Sequence, residues 1–244
     1  MPISHPTLRR PRSCSRHESC APNRLARAGT GCTRRGTAVR HMNAAVAGPD
    51  GRRRCSWCLA TAQYLAYHDT EWGFPVADDR REFERLCLET FQAGLSWRTI
   101  LEKRERLRHV FRQFDIERIS RFGEPEVERL LADAGIVRHR GKIEAVIHNA
   151  RCARQLIGQE GSLAAFIWRY APPAPARRCG PSPSRTPESM TLARDLRQRG
   201  WRFLGPTTLY AAMQALGLVN DHAPGCVIRA EAERARTLFR RPLR

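Results

Sequence analysis

From Cys55 onward the apolar residues recur three and four positions apart, the spacing that draws one stripe along an α-helix. Residues 77–94, ADDRREFERLCLETFQAG, open with an acidic first turn and stop near Gly94. Residues 96–114, SWRTILEKRERLRHVFRQF, follow with Ser96 as candidate cap. Residues 124–135 carry a proline in their first turn and end at Gly135; 138–161 make a long amphipathic helix and 162–171 a short one. Six prolines within 172–189 assign that segment to a loop, since prolines break helix interiors. Beyond it, 190–201 and 207–222 form two more helical runs joined by RGWRFLGPT. No Val/Ile-rich alternating runs stand together, so the pattern predicts an all-α fold, one helical domain and no sheet.

The first 50 residues differ in kind. They are rich in Arg, Ser, Pro and Gly without an apolar period, too little to offset the entropy of ordering, and are expected to be disordered. Met42 stands just before the folded-looking region, so a misassigned start codon is one account of residues 1–41. A basic DNA-binding tail or an organelle-targeting segment are the lesser ones. Residues 1–54 hold twelve arginines against Glu18 and Asp50, +10 of the chain's +19. The remaining +9 still points to a polyanion, nucleic acid first, although charge alone does not separate DNA from RNA or an acidic membrane. No run is long and apolar enough to cross a membrane, and the N-terminus lacks the apolar centre of a secretory signal, so a cytoplasmic protein is expected. Nine cysteines in such a chain argue against a disulfide framework and leave metal binding open.

Three constellations and one carboxylate are candidates for chemistry. Cys55 and His68 near the start of the folded region, with His222 and Cys226 near its end, offer two thiolates and two imidazoles suited to tetrahedral zinc; unrelated neighbours at each end are an equal alternative. Cys58 is a weaker candidate. Trp57, Tyr64, Tyr67, Trp72 and Trp97 crowd into 41 residues, either as a pocket for a planar ring or as ordinary core. The turn RGWRFLGPTT can expose backbone N–H groups at a helix start, Gly205, Thr207 and Thr208 among them, as can any helix–helix turn. Glu89 lies at the margin of the stripe made by Phe83, Leu86, Cys87 and Thr90, where half-burial is expected. A surface pair with Arg85, worth about 0.3–0.5 kcal/mol, is the plain reading of it.

Taken together, YLAYHDTEWGFP (64–75), LETFQAGLSW (88–97), DAGIVRHRGKIEAVIHNA (133–150) and GLVNDHAPGC (217–226) resemble the DNA-3-methyladenine glycosylase I family of the helix-hairpin-helix superfamily, over about Cys55 to Cys226. The resemblance implies a repair glycosylase that flips 3-methyladenine out of alkylated double-stranded DNA and hydrolyses its N-glycosidic bond without cutting the strand. It implies one structural zinc per chain on Cys55, His68, His222 and Cys226, tying the two ends of the domain together. Glu89 becomes the catalytic, base-reading carboxylate, Tyr67 and Trp97 line the pocket with Trp57 and Tyr64 close by, and FLGPT (203–207) grips the DNA backbone. A domain at 51–228, a basic tail at 229–244 and a monomer complete the expectation. Asp221, the acid nearest the place where superfamily relatives keep a catalytic aspartate, is expected to support the zinc ligands first. Thr90 stands where Gly is expected in the family. The alternative function is a zinc-stapled module that recognises alkylated DNA without catalysis.

Overall fold

The computed structural model describes residues 44–173 and 182–242, all within one compact unit. Its axis is α2 (Asp79–Gln92), which starts where the Asp78 side chain accepts from the Arg81 amide at 2.9 Å. α3 (Trp97–Val110), α6 (Arg140–Glu160), α7 (Leu163–Trp168) and α9 (Pro206–Ala215) pack around it, so that all ten residues from Glu82 to Phe91 are buried. A helix enclosed on every side is expected to be apolar all round. Phe83, Leu86, Cys87, Leu88 and Phe91 meet that demand, yet Glu82, Glu84, Arg85 and Glu89 are enclosed with them. Glu89, expected at half-burial, is 4% exposed, because neighbouring elements close the face that the apolar stripe leaves polar.

α6 is the second support. His139 caps it by accepting from the Lys142 amide, and Gly161, at φ 85°, ends it. α4 (Ile116–Ser120) and α5 (Glu124–Leu131) lie against it. Its Lys142 reaches back to α2 and donates to the carbonyls of Phe91 (2.8 Å) and Ala93 (2.5 Å), satisfying the end of the helix that carries Glu89.

Three differences from the pattern have local causes. A small sheet is present: β1 (Ala45–Ala47) and β2 (Arg53–Cys55) pair antiparallel, with Ala45 opposite Cys55. Strands of three residues are too short to show alternation. The hairpin is held instead by Arg54, which bonds Asp50 (2.6 Å) and Asp69 (2.9 Å), and by the Val227 amide on the Arg53 carbonyl (2.9 Å). β1 falls within the stretch read as disordered, whereas residues 1–43, Met42 included, lie outside the described residues. α8 (Pro187–Gln198) begins inside the proline-rich segment, since Pro187 takes the first helical position, where no N–H is needed, and Thr186 caps it. Residues 174–181 of that segment also lie outside the described residues. Finally, 229–244 includes α10 (Arg229–Leu238), whose Arg236 donates to the carbonyls of Gly217 (2.8 Å) and Leu218 (2.9 Å).

Candidate active site and metal centre

The two ends of the fold meet at a group of sulfur and nitrogen atoms. Cys55 closes β2, His68 sits on α1 (Ala62–Thr70) and Cys226 follows α9; their ligating atoms lie within 4.8 Å of one another, and all three residues are buried. His222 lies beside this group but outside it, its ring centroid 5.0 Å from that of His68. Its Nδ1 faces Asn220 Oδ1 at 2.9 Å, while its Nε2 is buried with no hydrogen-bond partner among the described residues. A buried ring nitrogen without a partner calls for one. His68 is oriented in the same manner, with Nδ1 2.8 Å from Asp69 Oδ1 and Nε2 turned toward Cys226 Sγ at 3.5 Å. Hydrogen bonds from the Cys55 thiol and His68 hold the Cys226 thiol well below the usual thiol range against desolvation, while Cys55 is pushed up by the same pairing. The Ala223 amide donates to Cys55 Sγ at 3.2 Å. Gly73 makes room for this arrangement: its φ is 86°, and a Cβ there would meet His222 Cε1 at 2.6 Å. Cys55, His68 and Cys226 form a group that could hold a metal ion, and with His222 beside it the donors are of the types that bind zinc. Cys58, buried nearby, stands outside the group.

One helical step from His68, Tyr67 turns toward α2 and the start of α3. Tyr67 and Trp97 face each other with ring centroids 5.4 Å apart and a tilt of 43°. Arg85 lies against both rings. Its Nη2 donates to the Tyr67 hydroxyl, its guanidinium carbon lies 4.1 Å from the Trp97 ring centroid, and its Nε is 3.2 Å from Glu89 Oε1. That last contact has ion-pair distance but is off the line of a hydrogen bond, so Arg85 Nε and Nη1 have no acceptor among the described residues. The Arg85–Glu89 pair anticipated from the sequence exists, therefore, but it is buried rather than on the surface. Desolvation pushes the Glu89 carboxyl up to about 7, and Arg85 alone opposes it. The Trp97 indole N–H is likewise buried without a partner among the described residues. Thr90 bonds the Leu86 carbonyl of its own helix at 2.9 Å.

Of the other aromatics, Trp57 packs on Tyr64 (5.2 Å), Trp72 (5.0 Å) and His68 (5.2 Å), which sets it against the Cys–His group. Asp221 accepts from the Tyr210 hydroxyl (2.6 Å) and Gln214 Nε2 (2.8 Å), so its Oδ2 carboxylate oxygen is engaged by α9. The turn between α8 and α9, residues 199–205, leads to a helix start at Gly205 without a side-chain cap; Thr207 there is exposed. α6 holds this turn: the Asn149 amide donates to the Arg202 carbonyl (3.0 Å) and its oxygen accepts from the Arg202 amide (2.8 Å), and His148 Nε2 meets the Gly200 carbonyl (2.9 Å). Asn149 and Lys142 were not nominated from the sequence. Their signal was a polar residue on an apolar helix stripe, which one sequence alone does not separate from a surface position.

Comparison with known proteins fixes the family. The methyladenine glycosylase profile matches residues 57–230. DNA-3-methyladenine glycosylase 1 of Escherichia coli K12 is 46% identical over 177 residues, covering 71% of this chain and 95% of the relative. The crystal structure of a 3-methyladenine DNA glycosylase I superposes with a TM-score of 0.68 at 49% identity, covering 71% of this chain and 98% of that one. The Staphylococcus aureus glycosylase, described for its recognition of 3-methyladenine, gives a TM-score of 0.68 at 32% identity over 72% of this chain and 96% of its own. The order of the motifs, the helical scaffold and these matches agree: the chain belongs to the methyladenine glycosylase family and is a DNA-3-methyladenine glycosylase.

Proposed function

We propose that this glycosylase hydrolyses the N-glycosidic bond of 3-methyladenine in alkylated double-stranded DNA after flipping the nucleotide into the space bounded by Glu89, Tyr67 and Trp97. The observation that carries the reading is a carboxylate enclosed beside two aromatic rings on rigid helices. Methylation at N3 makes the base of the nucleotide cationic and weakens its bond to the sugar, so departure needs little protonation. A site for it requires negative charge and π faces rather than a strong acid. Glu89 accepts from the exocyclic amine, Trp97 stacks on the ring and the Tyr67 hydroxyl reaches a ring edge. Flipping costs a few kcal/mol, least for a damaged base.

The turn at 199–205 and the start of α9 act as the DNA-gripping hairpin, with the Thr207 and Thr208 amides on a phosphate. No lysine lies in 199–208 to form a Schiff base with the sugar, in keeping with a monofunctional enzyme. Cys55, His68, His222 and Cys226 hold zinc, which staples the ends of the fold and, with four protein ligands, has no position for a reacting water. Metal analysis checks this: the parent carries one equivalent, and Cys55→Ala and Cys226→Ala lose it. Full retention in both variants would remove the assignment. For the activity, methylated DNA is incubated with the protein and the released bases are identified. Release of 3-methyladenine is expected; tight binding of alkylated DNA without base release would make the chain a recognition module.

A further inference from the structure

Each of the three groups assigned to the base already has a partner, and it is the same one. The Arg85 guanidinium touches the Tyr67 hydroxyl, faces Glu89 at 3.2 Å and lies over Trp97 at 4.1 Å. A guanidinium is a planar cation with N–H donors along its edge; N3-methylated adenine in DNA shares all three features, and its positive charge is what distinguishes it from a normal base. Stacked groups in contact are separated by about 3.5–4 Å, so a ring inserted between Arg85 and Trp97 would need roughly twice the spacing observed. The face of Trp97 that Arg85 covers is thus closed to a base while Arg85 stays. Nor is Arg85 settled as a buried cation should be: it is 6% exposed, and neither Nε nor Nη1 has a hydrogen-bond acceptor among the described residues. Buried charges that serve only packing are paired and fully bonded, since an unmet donor costs free energy.

We propose that Arg85 is the resident occupant of the base site, a side chain that stands in for the cationic base on Glu89 and Trp97 and has to swing out before a flipped base can stack. This inference rests on the pocket assigned above. Its consequence is a threshold. An entering base breaks the Arg85 contacts, and only one that brings its own positive charge or donors to Glu89 restores what was lost. A neutral, unmethylated base can donate its amine to Glu89 but does not replace the positive charge that Arg85 withdraws.

The test is calorimetric titration of free 3-methyladenine into the full chain, its Arg85→Met variant, which keeps the length of the side chain, and a Trp97→Ala control. With the occupant removed, Arg85→Met is expected to bind roughly tenfold tighter, the scale of one desolvated cation–π contact. Trp97→Ala is expected to lose binding. Equal or weaker binding by Arg85→Met, with Trp97→Ala still defective, would overturn the role of Arg85 and leave the pocket standing. Normal binding by Trp97→Ala would overturn the pocket and this inference with it. A second measurement reads the parent itself: the Arg85 Nε–H resonance, assigned by its absence from Arg85→Lys, should shift markedly as 3-methyladenine saturates the protein and the ring current of Trp97 is lost. A resonance that stays in place at saturation overturns the proposal.

Discussion

Two groups of charges enclosed along α2 are treated in opposite ways. Toward α3, Glu84 accepts from Arg104 Nε (2.7 Å) and Arg108 Nε (2.8 Å), and Arg104 completes its set with a two-pronged bond to Glu71 (2.7 Å on each oxygen). Beside Tyr67 and Trp97, Arg85 and Glu89 stand close but misaligned, with donors left over. The first group is a finished bracket between α2, α3 and the end of α1. The second holds unmet bonding capacity in the place where the fold is otherwise tight. Charge enclosed and satisfied holds the fold together; charge enclosed and unsatisfied marks where something else has to bind.

The largest expected effect comes from opening the finished group. Glu84→Ala leaves Arg104 and Arg108 facing each other without their shared carboxylate and should cost about 3 kcal/mol of folding stability, read by urea denaturation. Specific activity of the molecules that remain folded should change little. Glu89→Gln is the converse. Its melting temperature should stay close to that of the parent, while the loss of a charge-assisted contact worth about 1.5–3 kcal/mol slows release of 3-methyladenine about 10- to 150-fold. If Glu89→Gln lowers stability as much as Glu84→Ala, or Glu84→Ala lowers activity as much as Glu89→Gln, the division between the two groups fails.

Glu82 sharpens the contrast from a third side. It is fully enclosed, neither carboxylate oxygen has a hydrogen-bond partner among the described residues, and the nearby Trp168 indole donates to the Val76 carbonyl (2.6 Å) instead. Burial raises its pKa well above 4.5, so the folded protein keeps the proton after the unfolded chain has released it. Its contribution to stability therefore falls as pH rises above about 4.5. Glu82→Leu should stabilise the protein by about 1 kcal/mol at neutral pH and less near pH 4, a gain that grows with pH in thermal melts. The smallest effect is a pH profile. With Glu89 titrating at about 7, release of the cationic base should rise several-fold as pH passes through that value, and Glu89→Gln should flatten the rise.

Periodicity made most of the helices legible, because α2, α3, α5, α6 and α9 each expose or enclose a regular face. It failed where length was short, as in the three-residue strands, and where proline begins a helix, as at Pro187. At the candidate site, the sequence shows which residue types are present, and the structure brings Cys55, His68 and Cys226 together and sets Tyr67 against Trp97. Environment was not legible. Whether Arg85 lies in water or inside a pocket depends on the elements packed against α2 from distant parts of the chain, and the spacing of four residues from Glu89 is the same in both cases. The two bonds from Asn149 to Arg202 are hidden for the same reason, since they join residues far apart in the chain.

The meeting of Cys55 and His68 with Cys226 also sets an order of events during synthesis. The early partners leave the ribosome before α2 exists, and the last one follows α9, so the group closes only after almost the whole domain has emerged. A nascent chain halted within α9 would already carry Glu89, Tyr67 and Trp97 but not the clasp that holds β2 against the distal end. Loop-closure entropy opposes that long-range contact until the helices between have folded, so the ends are expected to join after them, and a chain truncated before Cys226 is expected to keep its central helices, read by circular dichroism.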